Sequence, residues 1–121
     1  MVSGIGVITE LLDTLRLQGQ YRGACTATKV ASEVDEKLGQ LCAQRYAELD
    51  QRLHPTAGSV GARFPDLAMA WEAIDHVSLR PNVFFTTLTD FNNQTLAAIK
   101  TEYLRSNLQL DPLSDTYFMA G

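Results

Sequence analysis

The chain has 121 residues, of which 45% are hydrophobic and 20% charged, a composition typical of one globular domain spanning residues 1–121. Fourteen acidic residues outnumber ten basic ones, and the net charge of −4 argues against a free-standing protein that binds nucleic acid by charge alone. No stretch of about eighteen apolar residues is present, and the first six residues lack the pattern of a signal peptide, so neither a membrane span nor a leader is expected.

Apolar residues at helical spacing predict a first helix over about residues 3–17. Residues 19–23 begin and end with glycine and are interpreted as a tight connection. A long stripe with steps of three or four predicts a second helix over about residues 26–53. His54-Pro55 ends this helix, because the residue before a proline disfavours helical backbone.

A third helix is predicted over about residues 65–77, because Pro65 suits a first helical position and Asp66 suits the positive end of the helix dipole. Its apolar side is predicted to consist of Leu67, Trp71, Ile74 and Val77. Residues 83–88 are rich in β-forming residue types and are interpreted as a short strand or extended connector.

A fourth helix is predicted over about residues 89–105, with Phe91, Thr95, Ile99 and Tyr103 buried. An extended tail over residues 108–121 follows it. Four helices with apolar stripes and short connections predict an all-α protein, an antiparallel four-helix bundle with an extended segment between the third and fourth helices.

The two cysteines, Cys25 and Cys42, are both assigned to the second predicted helix. In one straight helix they would lie about 25 Å apart and could not form a disulfide. We therefore interpret them as reduced, buried thiols in a cytosolic setting. The sequon at residues 93–95 is interpreted as a chance match.

No constellation of catalytic or metal-binding residues is evident. His54 and His76 are 22 residues apart and neither has the spacing of a metal ligand, and no phosphate-binding loop or nucleophile motif is present. We therefore expect a protein that is not an enzyme and that takes no cofactor, metal or small-molecule substrate. The pair Phe84-Phe85 is difficult to bury within one subunit, which indicates a subunit interface.

Five short motifs follow one another along residues 8–106. They are Gly19-Gln20-Tyr21, Thr28-Lys29-Val30, Arg63-Phe64-Pro65-Asp66, Ala73-Ile74-Asp75 and Asn92-Asn93-Gln94-Thr95-Leu96-Ala97. In this order they resemble the coat proteins of rod-shaped plant RNA viruses, the tobamovirus group and its relatives. The chain is shorter than typical members, and the loop between its third and fourth helices is cut to a few residues.

The resemblance implies a coat subunit that polymerises into a helical rod around single-stranded RNA, found in virions and in the host cytoplasm. The partners would be other copies of the chain and RNA, with no membrane involved. The predicted RNA-binding residues are Arg80, Asn92, Asn93, Thr95, Lys100 and Arg105. The predicted subunit-interface residues are Glu48, Asp50, Arg63, Phe64, Asp66, Phe84 and Phe85.

The resemblance also implies a buried ion pair for Asp75, with Lys29 as the nearest match and Arg45 as the other possible partner. If Glu48, Asp50 and Asp66 meet carboxylates of a neighbouring subunit, low pH or a divalent cation should favour assembly. The alternative function is a small all-α adaptor or chaperone that forms a homodimer through the second helix and Phe84-Phe85.

Overall fold

A computed structural model describes the backbone of residues 2–33 and 35–110 and the side chains of residues 6–33 and 35–106. The helices are α1 (Val2–Val30), α2 (Glu36–Leu53), α3 (Val60–Arg63), α4 (Pro65–Ala73) and α5 (Pro81–Leu110). The described residues are thus all-α, as predicted, with five helices rather than four and no strand. None of these helices is long and apolar enough to cross a membrane.

The first helix is much longer than predicted, because α1 continues through Gly19 and Gly23 to Val30. Leu17, Tyr21 and Cys25 are buried along this extension at steps of four. Their burial offsets the cost of a helical glycine, which is roughly 1 kcal/mol relative to alanine. The predicted connection at residues 19–23 is therefore wrong.

The second helix begins later than predicted, at Glu36 instead of about residue 26. The Asp35 carboxylate accepts a hydrogen bond from the Leu38 amide at 3.1 Å, which caps the helix. The break before α2 allows it to fold back along α1, where Arg45 donates to Gln20 and Arg52 pairs with Asp13. The two helices consequently run antiparallel.

The two cysteines form a disulfide between α1 and α2, with the Cα atoms of Cys25 and Cys42 5.0 Å apart. The expectation of two reduced thiols in one helix is wrong, because the chain breaks between them. The bond fixes the C-terminal part of α1 against α2. Tyr21 and Tyr46 lie close to it, with their ring centroids 6.0 Å apart.

A tight corner joins α2 to α4. Ser59 caps α3 by accepting a hydrogen bond from the Ala62 amide at 3.0 Å. A Cβ atom on Gly61 would overlap the Leu53 carbonyl oxygen, so only glycine permits this approach of α3 to the end of α2. α4 begins at Pro65, as predicted, but it ends at Ala73 rather than at about residue 77. Val77, which was predicted to lie on its apolar side, is exposed beyond the helix.

The fourth predicted helix starts earlier than expected, because α5 begins at Pro81 and includes residues 83–88. Phe84, Leu88 and Phe91 are buried at helical spacing, so packing on a helical face overrides the β-forming character of this segment. Residues 108–110 of the predicted tail belong to α5, and residues 111–121 lie outside the described residues.

The core lies where α1, α2, α4 and α5 meet. Its largest fully buried side chains include Tyr21, Phe84, Phe91, Leu11 and Leu49. Lys29 of α1 lies over the Phe84 ring, and Arg22, nearly two turns earlier, contacts Phe85 and Thr89. Position along α1 therefore increases as position along α5 decreases, so this pair is also antiparallel.

Candidate nucleic-acid and subunit interface

The two longest helices, α1 and α5, together present one side on which every residue is at least partly exposed. Its residues recur at steps of three or four, and none is fully buried. This α1–α5 outer face consists of Ile8, Leu12, Leu15, Gly19, Arg22, Thr26 and Val30 of α1 with Phe85, Thr89, Asn92, Leu96, Lys100 and Tyr103 of α5.

Arg22 joins the two halves of this face. Its guanidinium donates a hydrogen bond to the Thr89 hydroxyl at 3.0 Å and lies 4.4 Å from the centre of the Phe85 ring. Phe85 is still 43% exposed. Tyr103 further along α5 is 60% exposed, so the prediction that it is buried is wrong. A cation held on an exposed ring, with a second aromatic residue beyond it, can accept the flat face of a nucleobase.

The outer face contains no acidic residue, although the chain as a whole is acidic. The carboxylates of α1 point elsewhere, because Glu10 pairs with Arg63 and Asp13 pairs with Arg52. On α5, Asp90 and Glu102 lie beside α4 or the corner that precedes it. Arg22 and Lys100 therefore give this side of the molecule a positive character.

Buried polar groups lie behind the outer face. Thr14 and Thr95 donate hydrogen bonds to the carbonyls of Glu10 and Phe91 within their own helices. Gln18 is fully buried, and neither end of its amide has a hydrogen-bond partner in the protein. A buried amide without hydrogen-bond partners costs folding free energy, so Gln18 lowers the stability of the packed α1–α5 helix pair.

The predicted RNA-binding residues do not form one cluster. Asn93 and Lys100 are exposed on or beside the outer face, and Asn92 is partly buried there with its side-chain oxygen unpaired. Arg80 is exposed immediately before α5. Thr95 is fully buried and cannot touch RNA, which corrects its assignment.

Arg105, the remaining predicted RNA-binding residue, lies in a groove between α5 and the corner before α4. This α4–α5 groove has a volume of about 510 Å³, and its lining includes Arg63, Phe64, Asp66, Leu67, Ala98 and Arg105. The structure thus brings three predicted interface residues together with Arg105. Glu102 pairs with Arg105 at 3.1 Å and Glu10 pairs with Arg63 at 3.2 Å.

The other predicted interface residues are separated. Glu48 is exposed and pairs with Arg45 at 2.7 Å, and the Asp50 carboxylate accepts a hydrogen bond from the Trp71 indole at 3.0 Å. Phe84 is fully buried in the core, so its assignment to an interface is wrong, whereas Phe85 is exposed. Adjacent residues on a helix point in different directions, which explains the contrast.

The predicted buried ion pair is not formed. Lys29 donates to the carbonyls of Val77 and Leu79 at 3.1 and 3.0 Å. Asp75 is exposed and accepts hydrogen bonds from the amides of Ser78 and Val77, which lower the pKa of its carboxyl group. Both residues therefore hold the loop before α5, and Arg45 pairs with Glu48 rather than Asp75.

An aromatic cluster, which sequence reasoning missed as a unit, lies on another side of α1. It consists of Tyr21, Tyr46, Trp71 and His76, with Trp71 and His76 at a centroid distance of 4.3 Å. The Tyr21 hydroxyl lies 2.7 Å from His76 Nδ1, and His76 Nε2 lies 3.3 Å from the Trp71 carbonyl. Because a carbonyl only accepts, Nε2 carries the proton and Tyr21 donates to Nδ1.

Burial has the largest influence on the pKa values of His76 and Tyr21 in this cluster. It lowers the pKa of His76, against the opposing influence of the Trp71 carbonyl and the carboxylates of Asp50 and Asp75. Burial also raises the pKa of the Tyr21 hydroxyl. Neutral His76 and protonated Tyr21 fit a packed structural cluster better than an acid–base pair, and no sequence signal brought these distant residues together.

No group of three histidine, cysteine, aspartate or glutamate side chains suited to a metal ion occurs in the part of the chain that the structure describes. Comparison with protein-family models, curated proteins and solved structures finds no match for this chain.

Proposed function

We propose that the chain is a structural subunit that self-assembles and packages single-stranded RNA, with the α1–α5 outer face as its RNA contact. The observation that supports this proposal is the acid-free character of that face in a chain of net charge −4. The proposal includes the finer prediction that the helices form an antiparallel four-helix bundle with the short α3 at a corner.

The chemistry of the outer face suits a single strand. Lys100 can neutralise a phosphate, and the exposed Asn93 can donate and accept hydrogen bonds. Phe85 and Tyr103 offer exposed rings, and stacking a base on such a ring contributes about 1–3 kcal/mol. These contacts tolerate any base, which is what packaging of a long RNA requires.

Assembly supplies the affinity that one subunit lacks. With so few basic residues on the face, a single copy should bind RNA weakly, but many copies aligned on one strand act together. A heterologous contact that does not close produces an open filament. Glu48, Asp50 and Asp66 remain the proposed carboxylates at that contact, so low pH or a divalent cation should favour it.

Binding of fluorescent oligouridine, followed by anisotropy across a salt series, tests the RNA contact. Lys100→Ala should weaken binding and reduce the salt slope by roughly 0.7 for each phosphate that the lysine neutralised. Lys37→Ala, which removes an exposed lysine of α2 outside the face, is the matched control and should behave as wild type. Equal effects of the two variants, or no binding by wild type, would contradict the assignment.

Negative-stain electron microscopy at pH 5 and pH 8, with and without RNA, tests assembly. Rods that RNA lengthens, more abundant at pH 5, are the expected result. Uniform small particles under all four conditions would overturn the coat-subunit proposal.

A second candidate is a homodimeric adaptor that uses the same face. Exposed Leu12, Leu96 and Phe85 favour it, because exposed apolar side chains on one surface often mark a protein interface. Analytical ultracentrifugation separates the two candidates: a fixed dimer that Leu96→Glu converts to monomer, without any RNA binding, would support the adaptor.

A further inference from the structure

We propose that the Cys25–Cys42 disulfide is a site of reversible modification by small thiols, and that thiol attack on Cys42 releases residues 36–42, the beginning of α2, from α1. This inference is independent of the proposed function, because neither cysteine belongs to the α1–α5 outer face. It predicts a local change, in which the remainder of α2 keeps its place in the fold.

The two halves of α2 are held to the protein differently. In the second half, Leu49 and Leu53 are buried, and the Asp50 carboxylate accepts a hydrogen bond from the Trp71 indole at 3.0 Å. Residues 36–41, in contrast, are all exposed or partly exposed. The second half therefore has packing of its own that the first half lacks.

Cys42 is the first residue of α2 that packs against the hydrophobic core, within the part of the chain that the structure describes. The next links along α2 are the hydrogen bond from Arg45 to Gln20 at 2.6 Å and the contact between the Tyr46 and Tyr21 rings. Cleavage of the disulfide thus leaves the first turns of α2 with few buried apolar contacts. A helix end in this condition opens locally.

The residues of the segment do not make up for this lack of packing. The Asp35 cap and Glu36 favour the helix at its first turn. Gly39 opposes it, because glycine is among the least favourable residues inside a helix. Two helical turns without tertiary packing are too short to be stable alone.

The two sulfur atoms belong to residues that differ in access to solvent. Cys25 is 3% exposed and lies in the core, whereas Cys42 is partly exposed on α2. Because thiol–disulfide exchange depends on access to the sulfur that is attacked, Cys42 is the point of attack and Cys25 is the leaving group.

The exchange proceeds in two balanced steps. An incoming thiolate forms a bond to Cys42 Sγ while the bond between the two protein sulfurs breaks, and Cys25 leaves as a thiolate that takes a proton from water. A second reductant thiol then displaces Cys42 from the mixed disulfide. The protein disulfide gains two electrons, and two reductant thiols are oxidised to one disulfide.

This chemistry makes the start of α2 sensitive to the compartment. Disulfides persist in oxidising surroundings, and thiols of the glutathione type keep cysteines reduced in the cytosol. Residues 36–42 are therefore held on α1 in the first setting and released in the second.

Peptide mapping tests the point of attack. The oxidised full chain is treated briefly with glutathione, free thiols are blocked with N-ethylmaleimide, and trypsin separates Cys25 in residues 23–29 from Cys42 in residues 38–45. Glutathione should be on the order of tenfold more abundant on the Cys42 peptide, because its sulfur is the accessible one. Equal labelling, labelling mainly on Cys25 or no labelling would contradict the assignment.

Cα chemical shifts of the labelled full chain, with and without dithiothreitol, test the release. On reduction, the helical shifts of residues 37–42 should fall by more than about half, and those of residues 47–53 should persist. The double variant Cys25→Ser/Cys42→Ser should show the reduced pattern in both conditions. Unchanged shifts in residues 37–42, or loss of helical shifts throughout α2, would overturn the proposal.

A glycine substitution gives a test that leaves both cysteines in place. A Cβ atom at Gly39 or at Gly23 would meet no other atom within 4 Å, so alanine fits at either position. In the reduced protein, Gly39→Ala should raise the ratio of helical to released segment about fivefold, as the helix propensities of the two residues imply. Gly23→Ala, the same change in α1, is the matched control and should leave the ratio unaltered. Equal effects of the two variants, or no effect of Gly39→Ala, would contradict a local release of α2.

Discussion

The α1–α5 outer face and the aromatic cluster are both built on α1 but differ in how their side chains are satisfied. In the cluster, Tyr21 contacts three other rings and donates its hydroxyl to His76. On the outer face, Arg22, the next residue, is held by Thr89 and lies on a ring that is still exposed. Adjacent residues of α1 therefore pack against other helices on one side and form a partly exposed surface on the other. Substitutions in the cluster should change stability, and those on the face should change binding.

The largest effect should come from removing the indole that connects α2, α4 and His76. Trp71→Ala should lower the free energy of unfolding by about 3–5 kcal/mol, as expected for a buried tryptophan, and it also leaves Asp50 without its hydrogen-bond donor. Met69→Ala, on the exposed side of the same helix, should change it by less than about 0.5 kcal/mol. Urea unfolding followed by circular dichroism measures both, and similar losses would contradict the distinction between the two sides.

The next largest effect should come from the disulfide that holds α1 to α2 beside the cluster. Cys25→Ser combined with Cys42→Ser should lower the free energy of unfolding by about 3 kcal/mol, because the bond closes a loop of 17 residues in the unfolded chain. A reductant should destabilise wild type by a similar amount and leave the double variant unchanged. If reduction had no effect on the urea midpoint of wild type, the bond would contribute nothing to stability.

The sequence predicted local features better than long-range ones. Pro65 and Asp66 correctly placed the start of α4, and Leu67 and Trp71 were correctly assigned to its buried side. Both signals depend on residues within a few positions of one another. Packing at a distance overrode other local signals: the glycines in residues 19–23 did not interrupt α1, because Tyr21 and Cys25 bury against other helices.

The candidate site was predictable only in part, for the same reason. The position of Asn93 and Lys100 on an exposed side follows from helical spacing, once α5 is known to be one helix. The disulfide, the unpaired Gln18 amide and the contact between Tyr21 and His76 each depend on two helices or loops meeting. No residue pattern within a single segment of the sequence indicates which helices or loops come into contact.

A smaller effect, of opposite sign, should come from Gln18 beneath the outer face. Gln18→Met keeps the length of the side chain and removes an amide that has no partner, so it should raise the free energy of unfolding by about 1 kcal/mol. Gln44→Met, at an exposed position of α2, should change it by less than about 0.5 kcal/mol. A loss of stability in Gln18→Met would show that the amide is satisfied in solution.

The smallest effect should be a pH dependence that originates in the cluster. Burial lowers the pKa of His76, so the unfolded chain takes up this proton at a higher pH than the folded chain does. Above the ordinary histidine pKa of about 6.5 both states are neutral and the full stability is present. As the pH falls below that value, stability is lost, and the loss stops once folded His76 is itself protonated. The lowered pKa of Asp13, held by Arg16, and that of Asp75 act in a separate window below the ordinary aspartate value.

Urea unfolding at a series of pH values between 7 and 5 measures this dependence, because the carboxylates of Asp13 and Asp75 stay ionised there. His76→Gln should remove part of the slope, since glutamine does not titrate, and its amide can still accept from Tyr21. His54→Gln, at the exposed end of α2, is the matched control and should retain the slope of wild type. If His54→Gln flattened the profile and His76→Gln did not, the pH dependence of stability would come from the exposed histidine, and the prediction for His76 would be wrong.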